Sequence, residues 1–340
     1  MKRPSAAAGA GLAAFAFWAM LSPGPLVSQA PTREGPPLIL TARVPLPGVA
    51  GRIDHFTADE KRRLLIFAAL GNNTVEIVNT FEGTVIHSLK GLDEPQGVLY
   101  VSGFDKIVVA NAGNRSVNIF DSKTYALRKT IELGEDPDNV RWDEAAKRVY
   151  VGMLGAIAMI DPATEQHVGN DLKTAGGHAE SFQLEKKGSR IFVNVPGDNS
   201  VVEVIDRKAG GLTKWGLNGA KANFPMALDE DDHRLFVITR SPPLLIVLDT
   251  TTGKEVARLR AAAASDDAYF DPARKRIYAI CGQGFISVFQ QNDPNHYSLI
   301  ENVPTAVGVR TGYLLGGNLF VAVPASGNEP AQIWTYAVED

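Results

Sequence analysis

The sequence predicts an all-β protein, a seven-bladed β-propeller of four-stranded antiparallel blades. Three observations predict it. A repeat of about 42 residues runs along the chain, each repeat holds four short strand-like segments, and the last repeat lacks a fourth strand that stands at the opposite end of the chain.

The repeat is read from a basic residue followed by a short apolar run: Arg63-Leu64, Lys106-Ile107, Arg148-Val149, Arg190-Ile191, Arg234-Leu235 and Arg276-Ile277. Asn318-Leu319 continues the register with a polar substitute. The second residues are spaced by 43, 42, 42, 44, 42 and 42 positions, which defines seven units.

The second unit shows the elements in order. Gly97 to Val101 is strand A, Lys106 to Ala110 strand B, Ser116 to Asp121 strand C and Leu127 to Leu133 strand D. Val117 and Ile119, then Ile131 and Leu133, alternate with polar residues at the period of two that half-buried strands show. Strand B is apolar throughout (Ile107, Val108, Val109, Ala110), as suits a strand covered on both faces. Gly and Asn fill the B–C turns, as in Gly71-Asn72-Asn73 and Asn111-Ala112-Gly113-Asn114. Units three and six shorten that turn, at Gly152 to Gly155 and Cys281 to Gly284.

A single blade cannot bury both faces, so blades stack until the ring closes. Unit seven offers strand A at Ala306 to Thr311, B at Leu319 to Val323 and C at Gln332 to Val338. The missing strand D is supplied by Leu38 to Leu46, so one N-terminal strand is expected to fasten three C-terminal ones.

The segments VVANAGNRSVNIFDSKT (108–124), FVNVPGDNSVVEVIDRK (192–208) and FVITRSPPLLIVLDTTTGK (236–254) resemble the YVTN-type β-propeller repeat proteins of bacteria. IFAALGNNTVEIVNTFEG (66–83) is similar but ends its strand in Asn79. The resemblance spans 38–340. It implies the propeller fold and leaves function open, because that family carries binding, scaffolding and enzymatic members on one frame.

Composition excludes other classes. With 45% hydrophobic and 21% charged residues the 340-residue chain can bury a core, and one cysteine, Cys281, rules out a disulfide framework. A net charge of −4 argues against a nucleic-acid-coating surface. Mean hydropathy of −0.05 excludes a polytopic membrane protein. Lys2 and Arg3 precede an apolar run from Ala6 to Leu21, the pattern of a secretory signal over 1–30, with Ser28-Gln29-Ala30 as a cleavage site and 31–37 as a Pro-rich leader. Pro31 is a poor residue after a cleavage point, which leaves an uncleaved anchor as the alternative. The expected location is periplasmic or secreted, and the expected state monomeric.

No GxSxG, GxxxxGK[ST], HExxH or CxxC motif is present, and the six histidines show no metal-ligand spacing. The acid-then-base runs DEKRR (59–63), DEAAKR (143–148), EKKGSR (185–190), DEDDHR (229–234) and DPARKR (271–276) all fall in the A–B turn and read as solvated hairpins. Cys281 reads as a buried apolar residue.

The D–A loops differ. In a propeller they share the channel-mouth face with the B–C loops, and function rides on such loops. Ten or eleven residues before each strand-B landmark stand Asp54, Gln96, Asp138, Glu180, Pro225 and Asp267, with His55, Asn139 and His178 beside them and Arg52 and Arg310 near by. Four carboxylates converging on one axis repel unless a cation, an arginine or raised pKa values relieve them. Three readings follow: strand-start caps that hydrate the channel, a site for a small polar molecule or protein partner, and a divalent, calcium-like cation held by Glu180, Asn139 and Asp54 or Asp267. The expected preference is for cations or hydroxyl- and amine-bearing ligands over anions, with Arg52 and Arg310 able to orient a carboxylate or lactone oxygen. The corresponding functions are an exported binding or scaffold protein or, as the alternative, a metal-dependent lactonase- or lyase-like hydrolase of the gluconolactonase-like propeller type.

Overall fold

The computed structural model describes residues 35–340 apart from Asp198. The expected signal segment 1–30 and residues 31–34 of the leader lie outside the described residues.

Seven four-stranded antiparallel sheets follow one another. Blade 1 runs from strand A at Phe56–Asp59 to strand D at Thr84–Leu89, blade 2 from Pro95–Val101 to Leu127–Glu132, and blade 3 from Pro137–Asp143 to Leu172–His178. Blade 4 runs from Ser181–Leu184 to Leu212–Gly216, blade 5 from Lys221–Asp229 to Glu255–Arg260, and blade 6 from Ser265–Asp271 to His296–Pro304. Blade 7 holds Gly312–Leu315, Asn318–Val323 and Ala331–Val338, and Leu38–Leu46 pairs antiparallel with the last of these. The N-terminal strand therefore closes the ring as expected.

Two local details differ from expectation. Ala306 to Thr311 is a connection, and strand A of blade 7 begins only at Gly312. The reason is that the Thr305 and Gly308 N–H groups donate to the Gly284 and Gly282 carbonyls of blade 6, which spends the segment on the neighbouring B–C turn. In blade 3 the shortened turn leaves no residue outside strand. Arg148–Asp161 is continuous, its first half pairing with Pro137–Asp143 and its second with the two outer strands.

The strand-B alternation explains how the blades adhere. In blade 2, Ile107 and Val109 pack against Ile66 and Ala68 of blade 1, whereas Val108 and Ala110 pack against Val149 and Val151 of blade 3. Each is fully buried, and burying one of the valine or isoleucine side chains is worth about 1.5–3 kcal/mol. One apolar cluster lies in each of the seven blade–blade seams. The closing seam joins Val44, Leu46, Phe320 and Ile333 to Leu65 and Phe67.

In blades 1, 3, 5 and 6 the A–B turn is built by the acid that ends strand A. Asp143 Oδ1 accepts from the Ala145 and Ala146 N–H groups, and Asp271 Oδ1 does so from Ala273 and Arg274. Such an Asx turn lets Lys147 and Lys275 adopt φ of 53° and 52°. Cys281 is fully buried, and burial pushes its thiol up to about 11, so it packs and does not react. Among the described residues, no helix is long and apolar enough to cross a membrane.

Candidate functional site at the channel mouth

The seven A strands enter the channel from their N-terminal ends, which places the residues before each strand at the mouth. Close approach is needed there. Gly97 lies against the Asp138 carbonyl oxygen of the next blade, in the space a Cβ would occupy.

A cavity of about 300 Å³ opens at the mouth. Of the residues singled out in the sequence, Arg52, Gln96, Asp138, His178, Glu180 and Arg310 line it. Asp54, His55, Asn139 and Asp267 form a layer beneath. Four lining residues were missed: Asp136, Phe224, Arg240 and Asp266. Asp136, Phe224 and Asp266 each stand one or two positions before a landmark residue, and Arg240 sits in TRSPP, where other units carry Asn or Gly.

Charge is sorted into two walls. On one side buried Asp266 gathers three guanidinium groups. Arg310 Nε lies 2.9 Å and Arg52 Nη2 3.7 Å from its Oδ2, while Arg240 Nη2 contacts Oδ1. Arg240 is stacked over Phe224 at 3.5 Å, and Arg52 Nη2 also pairs with Asp54 Oδ2 at 2.8 Å. On the other side Asp138, His178 and Glu180 bring one ligand-type atom each within 4.8 Å of one another. His178 Nδ1 lies 3.4 Å from Glu180 Oε2, and Nε2 3.7 Å from Asp136 Oδ2. Asp138 is buried, and its Oδ1 has no hydrogen-bond donor among the described residues.

The layer beneath plugs the channel. His55 Nδ1 is 3.0 Å from Asp267 Oδ1, and the Asn139 amide nitrogen is 3.0 Å from His55 Nε2 and donates to the Glu180 carbonyl at 2.6 Å. Asp267 Oδ2 accepts from Gly312 N–H at 3.0 Å. Both Asp267 oxygens are thus engaged, and Asp54 is held by Arg52. The expected set of Glu180, Asn139 and Asp54 or Asp267 is therefore not presented as a cation cage. Asp138, His178 and Glu180 are the group that converges.

The repulsion expected among the carboxylates is relieved by arginine, imidazolium and raised pKa values together. Burial raises the Asp54 carboxyl to about 6 against the opposing pull of His55 and Arg52. Burial and then the Glu180 charge push Asp138 well above the usual carboxylate range. Burial works against charge on the histidines, but Asp267 and Asp54 hold His55 up to about 10, and Glu180 with Asp138 and Asp136 holds His178 up to about 9. Arginines thus hold a larger share of the mouth than the sequence indicated, since Arg240 joins Arg52 and Arg310. The mouth is bipolar, with an arginine wall facing an acid–imidazolium wall.

No family model matches the chain. Two curated proteins, both named uncharacterized protein YncE, from Salmonella typhimurium and Salmonella typhi, are 24% identical to it over 229 residues, a distant homology. The match spans 62% of this chain and 63% of those relatives, under two thirds of their length. Among solved structures, a chain of the mitotic checkpoint complex covers 96% of this chain and 99% of its own, with a TM-score of 0.75 and 16% identity. A chain of Kuenenia stuttgartiensis hydrazine synthase gives 0.71 at 18% identity, covering 86% of this chain and 97% of its own. The RRP9 WD40 repeats give 0.75 at 8%, covering 89% of this chain and 100% of their own. At these identities the likeness is one of fold alone.

Proposed function

We propose that this chain is an exported propeller of the YVTN type that binds a small polar molecule at the channel mouth, without being required to transform it. The observation that supports this reading most is the bipolar cavity: Arg52, Arg240 and Arg310 on one wall, Asp136, Asp138, His178 and Glu180 on the other. Such a pair of walls suits a ligand that carries a carboxylate at one end and hydroxyl or amine donors at the other. A protein partner presenting the same groups on a loop is the alternative occupant. Export is supported by Lys2, Arg3 and the apolar run Ala6 to Leu21. A reporter fused after residue 30 is expected outside the cytoplasm.

The test of binding is a thermal-shift screen of amino acids and sugar acids, repeated on Arg240→Met and Glu180→Gln. Hits should give a smaller ligand-induced shift in both variants, each measured against its own ligand-free melting temperature. A hit indifferent to both substitutions places binding elsewhere, and a screen without hits argues for the partner or for a structural channel.

A second reading is supported by the convergence of Asp138, His178 and Glu180. Two carboxylates and an imidazole suit a divalent cation, which would polarise a lactone or ester carbonyl in a hydrolase. In that reading the three residues hold the ion, and Arg52 and Arg310 orient the substrate carboxylate. Metal analysis of the purified protein separates the readings: a stoichiometric ion lost in His178→Ala favours the hydrolase.

A further inference from the structure

The His55 layer divides the channel into two compartments that share no lining residue. Below it lies a second chamber of about 430 Å³, walled by the A strands of all seven blades. Its acidic and basic lining residues are His55, Arg141, Lys186 and Asp267. Arg141, in strand A of blade 3, donates a single hydrogen bond, from Nη1 to the Val140 carbonyl at 3.0 Å, and stands 5.6 Å from the Phe182 ring. It has no carboxylate within ion-pairing distance among the described residues, and its remaining N–H groups are not sealed by protein atoms. Asp267 would be the natural partner, but its oxygens are taken by His55 and Gly312. Burial prevails over the pull of Asp267 and Asp138, which act on Arg141 only from beyond ion-pairing distance, and lowers its pKa.

The surroundings define what would compensate it. His55, paired with Asp267, caps the chamber, and Lys186 stands in its wall. Between these charges lie rings and aliphatic groups, among them Trp142, Tyr269, Phe270, Tyr313 and Met226. The Tyr269 hydroxyl donates to the Gly312 carbonyl at 2.6 Å, which fixes its ring at the chamber wall. A lone inorganic anion would satisfy Arg141 but leave most of this volume and all of its aromatic surface unused.

We propose that this chamber is a second binding site, distinct from the mouth, for a small organic carboxylate with an aromatic or apolar body. The carboxylate pairs with the free edge of the Arg141 guanidinium, and the body lies among Tyr269, Phe270 and Tyr313. Entry is from the A–B turn face, past Lys186, because the His55 layer blocks passage from the mouth.

The test is isothermal titration calorimetry of the purified protein with sodium benzoate, with sodium sulfate as the comparison. Benzoate is expected to bind at one site, and Arg141→Met to weaken it by about tenfold or more, the scale of losing a charge-assisted bidentate contact. Arg240→Met at the mouth should leave benzoate binding unchanged, which keeps this site separate from the reading above. Should Arg141→Met fail to fold, Arg141→Lys retains the charge while losing the planar fork and should still weaken binding. Absence of benzoate binding, equal affinity in a folded Arg141 variant, or sulfate binding as tightly as benzoate overturns the proposal.

Discussion

His55 Nδ1 lies 3.0 Å from Asp267 Oδ1, although 212 residues separate them in the chain and blade 7 stands between their blades. The contact crosses the channel and, with Asn139 on the other imidazole nitrogen, joins blades 1, 3 and 6 around one ring. It is therefore both a tie across the propeller and the partition between the two compartments.

The pH dependence of stability follows from that tie. A histidine held at about 10 when folded, against 6.5 when free, binds its proton more tightly in the folded protein. Its contribution is fully present below about 6.5 and is lost as pH climbs towards about 10. Asp54, raised from 3.8 to about 6, acts in the same sense over the lower window, favouring the folded state below 3.8 and losing that contribution by about 6. The melting temperature is expected to fall between pH 7 and pH 10, and His55→Gln should flatten that limb. An unchanged slope in the variant would remove His55 as its source.

Asp266 lies within ion-pairing distance of three arginines, so its loss should be felt through all of them. Asp266→Asn is expected to destabilise the protein by about 2–3 kcal/mol, since the guanidinium groups are only partly exposed. Urea denaturation reads this directly, and Arg240→Met in the same background should recover part of the loss. Full additivity of the two substitutions would show that they do not interact.

Ring closure rests on Leu38–Leu46, whose Val44 and Leu46 fill the seam between blades 7 and 1. Deleting residues 31–46 opens a blade edge and uncovers that seam, and thermal unfolding should shift down by about 10 °C or more. The same melting temperature in the deletion would mean that another segment seals blade 7.

Close approach of the inner strands makes Gly97 sensitive. Gly97→Ala drives a methyl group into the Asp138 carbonyl and the Val140 side chain and should cost about 1–3 kcal/mol. Gly103→Ala meets nothing within 4 Å and serves as the control, with an effect of about 0.5 kcal/mol or less. Chemical denaturation of both variants provides the comparison.

The number of blades, the strands of blade 2 to within a residue or two, and the strand that closes the ring can all be read from the chain. These are legible because they depend on local physics repeated seven times: strand-B apolarity, the period of two, and Asn, Asp and Gly in the turns. Equal spacing also brings Gln96, Asp138 and Glu180 to one mouth, but it does not fix depth: Asp54 and Asp267, at the same spacing, lie in the layer beneath. Which of these side chains meet depends on the closed ring. That Asp266 gathers arginines from three separate segments, that Asp267 is already engaged by His55 and Gly312, and that Arg141 is left without an acid all depend on side chains converging across the channel. Contacts of that kind leave no periodic trace in the chain, since each is made once, between residues brought together only when the ring has closed.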